Sequence, residues 1–382
     1  MKKTIGVLVL LVLMVGCKHD RGGAVRTEKE QPKPTPESQK IDYPFAEVPF
    51  GNRVIEGRKW TGSIPEWTGN QITGVFVEGR KVKLSPYEIG KYEVSYKIWK
   101  DVCEWAGKHG YTGLENVGNI GNSEKNGVDI PKEQWDKQPV TNMTWSEAVV
   151  WCNALTEMEK GNDAECVYRD KNGKILKNAA DTVGVSLAQW ANKKGYRLPS
   201  QAEWEAAARY SKDATNATNH AKDGEQPIYF TNSISASGGK LPIAFKGIKE
   251  NTDYEAMKDE LKRLAVCEKY FDGTKDVKFE PEIKFTSIIG SKAPNDLGCF
   301  DMTGNVNEFC YDWAEFKLNF DKNNIEENPK GPVAPSGDEF AKVIRGGATI
   351  TLPQYLCVTY INWMEKVENK YVDTGLRLAR TK

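Results

Sequence analysis

The sequence is poor in histidine and lacks the short motifs that mark several common enzyme chemistries. Its histidines, His19, His109 and His220, show no ligand spacing, and no two cysteines are separated by two residues. These absences argue against a histidine-based metal site and a zinc knuckle. Walker A, GxGxxG, GxSxG and HExxH sequences are also missing, so nothing indicates the nucleotide-binding, hydrolase or metalloprotease classes that they mark.

Net charge and a long apolar run are missing as well. Lys+Arg and Asp+Glu both number 53, so no broad basic surface for nucleic acid is predicted. The N-terminal apolar run Ile5–Val15 is shorter than the roughly 20 residues of a spanning helix. It follows two lysines and ends before Gly16-Cys17, which resembles a bacterial lipoprotein signal peptide. An ordinary signal peptide with an incidental cysteine is the alternative.

The predicted layout has three parts. Residues 1–17 form the signal peptide and lipobox, and lipid on Cys17 would anchor the chain to the bacterial outer membrane or cell surface. Residues 18–40 contain three prolines and almost no apolar side chains, which predicts a disordered tether. Residues 41–382 have a globular composition. Seven cysteines remain beyond Cys17, an odd number that leaves at least one thiol unpaired if disulfides form.

Local patterns predict short strands and a few helices. A strand is predicted over Val82–Glu88, and apolar spacing of three and four predicts a helix over Tyr96–Lys108 with Ser95 as its cap. Capping boxes begin two more helices, Thr144 with Glu147 and Ser200 with Glu203.

A charged, irregular region follows the third predicted helix. Helical character returns over Tyr254–Tyr270, and residues 240–284 are interpreted as an insertion on a scaffold loop. An insertion of this length is tolerated because the entropy of loop closure grows slowly with length.

Six short motifs then occur in a fixed order: Tyr87–Val94, Pro139–Trp145, Tyr196–Glu205, Asp301–Val306, Arg345–Gly347 and Gly375–Arg377. Together they resemble the formylglycine-generating enzyme domain of the sulfatase-modifying factor family. The resemblance implies an α+β, C-type lectin-like fold; spacing alone indicates only a mixture of helix and strand.

The resemblance also raises the question of catalysis. Enzymes of that family oxidise a substrate cysteine at a copper ion held by two cysteines in the segment after Gly-Gly, since Cu(I) prefers thiolate ligands. Here the segment contains only Cys357, and Thr351 and Leu352 stand near the first ligand position. We therefore predict no enzyme activity and interpret Cys357 as a buried anchoring thiol, with a copper-dependent oxidase as the alternative.

The same segment, residues 343–382, lacks the asparagine-rich runs of many relatives. The matching places hold Thr, Ile, Ala, Tyr, Val and Asp, which adenine-directed mutagenesis of Asn codons would produce. The segment thus resembles the variable region of proteins diversified by retroelements, although ordinary sequence drift is an alternative.

A calcium site is a further implication of the resemblance. The family binds Ca²⁺ around a GNVWEW-like turn, and Asn305 and Glu308 stand at matching positions. Oxygen ligands suit this hard cation. Asn307 replaces the family's Trp, and a purely structural turn without bound Ca²⁺ is the alternative; no other cofactor is predicted.

The sequence-based hypothesis is a non-catalytic lipoprotein that binds a protein or glycan ligand of a host or neighbouring cell. A structural envelope lipoprotein without a ligand is an alternative. Trp363 is predicted to be either partner-facing or a buried wedge. The residues predicted to face the partner are Ala348, Thr349, Ile350, Thr351, Leu352, Tyr360, Asn362, Trp363, Met364, Glu365, Tyr371, Val372 and Asp373.

Overall fold

The computed structural model describes residues 38–60, 63–64, 69–115, 117–123, 129–181, 192–212, 214–315, 318–333, 341–364 and 367–382. Cys17, most of the predicted tether and Glu365 lie outside the described residues. The chain from Pro36 to Lys382 forms one compact unit. In the described ranges, no helix has the length and apolar character needed to cross a membrane.

The helices begin where the capping signals predict. In both capping boxes the cap hydroxyl accepts the third N–H of the helix, and the Glu carboxylate accepts the N–H of the cap residue. Ser95 caps the first helix through the N–H of Ile98. The helices of the described residues are α1 (Tyr96–Gly107), α2 (Trp145–Lys160), α3 (Gln201–Arg209) and α4 (Tyr254–Leu264).

Two predicted elements differ from the structure at their ends. The helical stretch predicted to reach Tyr270 stops at Leu264, because the chain is extended at Ala265 and enters a strand pair at Lys269. The strand predicted over Val82–Glu88 is divided into Lys81–Lys83 and Tyr87–Gly90. These two strands belong to different sheets.

The strands are short and are distributed over six small sheets in the described residues. In chain order they are β1 (Phe45–Glu47), β2 (Val54–Glu56), β3 (Lys81–Lys83), β4 (Tyr87–Gly90), β5 (Asn119–Ile120), β6 (Val140–Thr141), β7 (Tyr210–Ser211), β8 (Ala217–Asn219), β9 (Tyr229–Thr231), β10 (Lys269–Phe271), β11 (Asp276–Lys278), β12 (Asn307–Trp313), β13 (Ile325–Glu327), β14 (Lys342–Arg345), β15 (Asn362–Met364), β16 (Thr374–Gly375) and β17 (Ala379–Thr381).

Sheet topology ties the C-terminal segment, residues 343–382, into the scaffold. The four-stranded sheet has the order β15-β14-β12-β16, so three of its strands come from the chain after residue 341. The final strand, β17, pairs with β4 in the order β1-β4-β17. Both ends of the segment are therefore hydrogen-bonded to strands from earlier in the chain.

Three hydrophobic clusters form the interior. The first lies between α1 and α2, where Trp99 stacks on Trp151 with ring centroids 5.1 Å apart. The second surrounds α3, including Trp204. The third contains Met257, Leu261 and Leu264 of α4 together with Leu356 and Cys357 of the C-terminal segment. Residues 240–284, interpreted from sequence as a loop insertion, thus supply much of a core that supports the segment.

Candidate ligand-binding site

The first end of the C-terminal segment is held by α3. The Arg345 guanidinium donates to Glu205 Oε2 at 2.8 Å and to the Val358 carbonyl at 2.9 Å. Both side chains of the Arg345–Glu205 pair are fully buried. The Glu205 carboxylate also accepts from Arg209 and from the Val75 N–H. This pair fixes where the segment begins.

The second end is held by Glu308 of β12, which also contacts α3. Arg377 Nε donates to Glu308 Oε2 at 2.9 Å, and the Trp204 indole N–H donates to the same oxygen at 2.7 Å. Arg377 also donates to the carbonyls of Gly90 and Phe300. Glu205 of α3 therefore pairs directly with the first end, and Trp204 of the same helix contacts Glu308, the partner of the second end. Removing one partner of such a buried pair costs roughly 3–5 kcal/mol.

Glycine is required at the turn between β14 and the rest of the segment. Gly346 and Gly347 have φ of +89° and +74°, values that favour glycine. A Cβ on Gly347 would lie 2.7 Å from Cδ2 of Leu356. The turn brings Leu356 and Cys357 against the third core.

Cys357 is an interior thiol. It is buried, and its Sγ donates to the Ile234 carbonyl at 3.5 Å. Burial raises the pKa of the Cys357 thiol, which disfavours the thiolate that a copper ion needs. With no second cysteine in residues 343–382, these residues do not fit the two-thiolate copper site.

The predicted calcium ligands do not fit a cation site. Both Glu308 oxygens accept from Arg377, and one also accepts from Trp204. The Asn305 side-chain oxygen accepts from the Ser287 N–H, and its side-chain N–H donates to Glu93. The backbone carbonyl of Asn305 accepts from the Thr349 hydroxyl. Within the described residues, no group of three or more His, Cys, Asp or Glu side chains could hold a metal ion. Glu308 and Asn305 instead hold together the frame, by which we mean the buried contacts at the two ends of the C-terminal segment.

Two of the predicted partner-facing residues are in the interior. Ala348 and Thr349 are 0% and 1% exposed. The Thr349 hydroxyl donates to the Asn305 carbonyl at 3.0 Å, so this side chain closes the turn. The prediction that these two residues face a partner is wrong, because their position after Gly-Gly carries them inward onto the frame.

Of the other predicted residues, those whose burial is described are exposed or half-buried. Ile350 is 57% exposed, and Tyr360 donates its hydroxyl to Gln71 Oε1 at 3.1 Å. Met364 is the last residue of β15, and Glu365 falls outside the described residues. The half-buried members of the set are Thr351, Leu352, Tyr360, Asn362, Trp363, Tyr371, Val372 and Asp373.

A cleft beside β15 was not predicted from the sequence. It has a volume of about 820 Å³ and is lined by Ile361 and Trp363 of the segment and by Trp60, Ile64 and Phe320 from distant parts of the chain. Nothing in the spacing of these residues indicates that they meet. The high tryptophan content, 11 residues, was the one available signal.

Comparison with known proteins agrees with this architecture. The model of the sulfatase-modifying factor enzyme 1-like domain matches residues 67–382. The chain belongs to this family. The frame described above is therefore the frame of a sulfatase-modifying factor enzyme 1-like domain, and the sequence-based prediction of the family is confirmed.

The following proteins match this family member, and each is at most 25% identical to it in sequence. The chaperone protein LppX of Paenibacillus barcinonensis is 25% identical over 307 residues, which cover 79% of this chain and 83% of LppX. Treponema denticola variable protein 1 matches with a TM-score of 0.56 and 22% identity, covering 91% of this chain and 98% of that one. CarF matches with a TM-score of 0.55 and 22% identity, covering 89% and 99%. These structures confirm the α+β, C-type lectin-like fold.

Proposed function

We propose that this member of the sulfatase-modifying factor enzyme 1-like family is a non-catalytic binding protein. The observation that carries the proposal is Cys357, the only thiol in residues 343–382, which is buried and hydrogen-bonded to a backbone carbonyl. A copper site of two thiolates would lack one of its two cysteines here, and the other, Cys357, is buried. The family includes enzymes as well as binding proteins, so membership does not decide between these roles.

The binding surface in this proposal is the outer face of the C-terminal segment. Its ends are held by buried ion pairs, so exchange of surface side chains between them leaves the frame intact. Ile350 is exposed, and Tyr371 and Val372 are half-buried, so each contributes apolar area to the surface of the segment. Aromatic side chains offer a large contact area at low cost in rotamer entropy. The proposed ligand is a protein or glycan of a host or neighbouring cell, reached from a lipid anchor at Cys17.

Diversification of the segment is part of the same proposal. It is supported by residues such as Thr351, Tyr371 and Asp373 at places where many relatives have asparagine. The gene is expected to have a nearby near-copy of the DNA for residues 343–382, differing only where that copy has adenine, beside a reverse transcriptase gene. Without such a repeat, diversification is wrong while the fold and the buried Cys357 stand.

The absence of catalysis is tested directly with copper. We expect copper-loaded full-length protein to form no aldehyde on a sulfatase-type cysteine peptide. Aldehyde formation that disappears in a Cys357→Ser variant would contradict the proposal.

The binding surface is tested with ligands selected from a random peptide library and a glycan array. Ile350→Asp should weaken binding of a selected ligand about tenfold, which corresponds to about 1.4 kcal/mol. Ile325→Asp is the matched control, because Ile325 is 49% exposed on β13, outside the segment. Equal effects of the two substitutions would exclude the segment as the binding surface, and failure to select any ligand would favour a purely structural role.

A chaperone-like role is a second candidate function. It is favoured by one observation, the 25% identity to a chaperone protein over most of both chains. In that role the ligand would be a polypeptide that has not reached its folded state. The cleft beside β15 provides a place for such a ligand.

A further inference from the structure

We propose that the cleft beside β15 binds a neutral oligosaccharide, with a sugar ring against tryptophan and sugar hydroxyl groups toward a polar inner wall. The cleft has a volume of about 820 Å³, which lies within the roughly 300–1,000 Å³ typical of binding pockets. The inference goes beyond the proposed function, because it assigns a second ligand site that does not depend on the outer face of the C-terminal segment.

His220 lines the cleft and presents a hydrogen-bond acceptor. Its Nδ1 lies 2.7 Å from the Glu56 carbonyl. Since a carbonyl can only accept, Nδ1 carries the proton. Burial lowers the pKa of His220 to about 3, which keeps the ring uncharged. Nε2 is therefore an acceptor, and it is buried without a hydrogen-bond partner among the described residues. A ligand that donates to Nε2 would satisfy this buried polar atom.

The charge beside His220 selects the kind of donor. Arg209 also lines the cleft, and its positive charge helps to lower the pKa of His220. A ligand ammonium group would be repelled by the Arg209 guanidinium, and an ionised carboxylate has no proton to donate to Nε2. The guanidinium already donates to Glu205, to the Thr231 carbonyl and to the Ser233 hydroxyl. An uncharged donor such as a hydroxyl group therefore fits this wall.

Neutral amide side chains add further polar partners. Gln71, Asn216, Asn232 and Asn251 line the cleft, and each carries donor N–H groups and an acceptor oxygen on one planar group. A sugar hydroxyl both donates and accepts, so it can pair with either end of an amide. Gln71 Oε1 accepts from the Tyr360 hydroxyl at 3.1 Å, a bond that orients this amide.

Two tryptophans supply the apolar part of the cleft. Trp60 and Trp363 both line it, and both are half-buried, so part of each side chain is open to a ligand. The C–H groups on one face of a sugar ring are apolar, and packing them against an indole removes apolar surface from water. A sugar ring with an apolar face and polar edges thus matches a lining that mixes indoles with amides.

An apolar ligand or an added polypeptide strand fits the cleft less well. An apolar ligand would bury the amides and His220 Nε2 without hydrogen bonds. Strand addition needs free backbone groups at a sheet edge. However, the Asn219 carbonyl of β8 accepts from Arg58 at 2.9 Å. Just before β15, the Ile361 N–H donates to the Gln71 carbonyl at 2.8 Å. A sugar needs neither of these backbone groups.

The test uses defined trisaccharides as probes. The full-length protein is titrated by isothermal calorimetry with the neutral probes maltotriose, cellotriose and triacetylchitotriose, and with the charged trigalacturonic acid. We expect at least one neutral probe to bind, and trigalacturonic acid to bind more weakly than that probe. No binding of any neutral probe up to about 10 mM, or tightest binding of trigalacturonic acid, would overturn the inference.

Two variants locate the bound probe. Trp60→Ala removes an indole, and His220→Phe keeps a ring in place but removes the Nε2 acceptor; each should weaken binding of the neutral probe about tenfold. Trp135→Ala is the matched control, because Trp135 is also half-buried but does not line the cleft. Thermal unfolding checks that the variants are folded. Equal effects of Trp60→Ala and Trp135→Ala, or wild-type affinity in folded His220→Phe, would contradict the inference.

A further control separates this inference from the proposed function. Ile350→Asp changes the outer face of the segment, so it should weaken ligands selected for that face and leave probe binding unchanged. Loss of probe binding in Ile350→Asp but not in Trp60→Ala would place the sugar on the outer face, so the inference would fail while the proposed function stands. Displacement of the bound probe by reduced and carbamidomethylated α-lactalbumin would favour the chaperone-like role and overturn the inference.

Discussion

Asp312 is a buried carboxyl whose proton affinity is coupled to folding. It is 1% exposed, and its Oδ2 accepts the Gln201 N–H at 2.8 Å at the start of α3. Burial raises the pKa of Asp312 to about 7, from about 3.9 in an unfolded chain. The folded state therefore binds this proton more tightly than the unfolded state. The resulting stability is complete at low pH and is lost as the pH rises through about 7.

Replacement of Asp312 by Asn should remove this dependence on pH. We expect the unfolding free energy of the wild type, relative to Asp312→Asn, to fall by about 2–3 kcal/mol between pH 5 and 8.5, at about 1.4 kcal/mol per pKa unit. Urea unfolding at several pH values measures it. Asp223→Asn, at an exposed site, is the control. A constant difference across this range would show that Asp312 ionises normally in the folded state.

The residues of the candidate site differ in how well the sequence predicts their burial and their contacts. The burial of Cys357 was predicted from its isolation in the sequence, since a lone thiol that cannot form the family's copper site behaves as a small apolar side chain. The burial of Ala348 and Thr349 does not follow, because only the positive φ of Gly346 and Gly347 turns them inward. Asn305 and Glu308 match a calcium motif by position, yet Arg377 and Trp204, distant in sequence, occupy the Glu308 oxygens.

At the scale of the element, α3 is the helix on which the C-terminal segment depends. Its capping box is built from Ser200 and Glu203, and the Glu203 carboxylate also forms an ion pair with Arg197. Glu205 pairs with Arg345 at one end of the segment, and Trp204 donates to Glu308, the partner of Arg377 at the other end. A helix that starts correctly is therefore a condition for the frame.

The cap of α3 can be removed with one substitution. Ser200→Ala should lower the unfolding free energy by about 1 kcal/mol, because the Glu203 N–H loses its side-chain acceptor. Ser291→Ala, at an exposed serine, should change it by less than about 0.5 kcal/mol. Thermal unfolding compares the two variants. Similar effects would mean that the capping bond contributes little to the stability of the protein.

Elements were predicted best where the signal is local. The starts of α1, α2 and α3 follow from a cap residue and its neighbours three positions on. The end of α4 is followed by the local hairpin of β10 and β11. The division of the strand near Pro86 depends on pairing with strands farther away in the chain, since β3 pairs with β2 and β4 pairs with β17. That β15 and β8 lie at sheet edges, among the described residues, is likewise a property of sheet assembly.

The cysteines of the described part of the chain are all unpaired. All seven cysteines in the described residues are free, and six of them are buried. An exported protein could form disulfides, but none is present in this part of the chain. The buried thiols act as small apolar side chains that fill the cores.

This arrangement predicts the thiol content of the purified protein. In a Cys17→Ser variant, denaturation in iodoacetamide without reductant should add seven carbamidomethyl groups, as counted by mass spectrometry. Cys103, the one half-buried thiol of the seven, should be the first to react in the folded state. A count of five or fewer would reveal a disulfide and contradict the arrangement.

The family, the α+β fold, the helix starts and the lack of a second copper ligand could all be inferred from the order of the amino acids. These rest on ordered motifs, local hydrogen bonds and the number of cysteines, none of which needs a spatial arrangement. Tertiary structure alone decided which residues of the segment are buried and which contacts use the Glu308 carboxylate. It also decided that Trp60 and Ile64 share a cleft with Trp363, since burial and contact depend on distances between residues that the order of the chain does not specify.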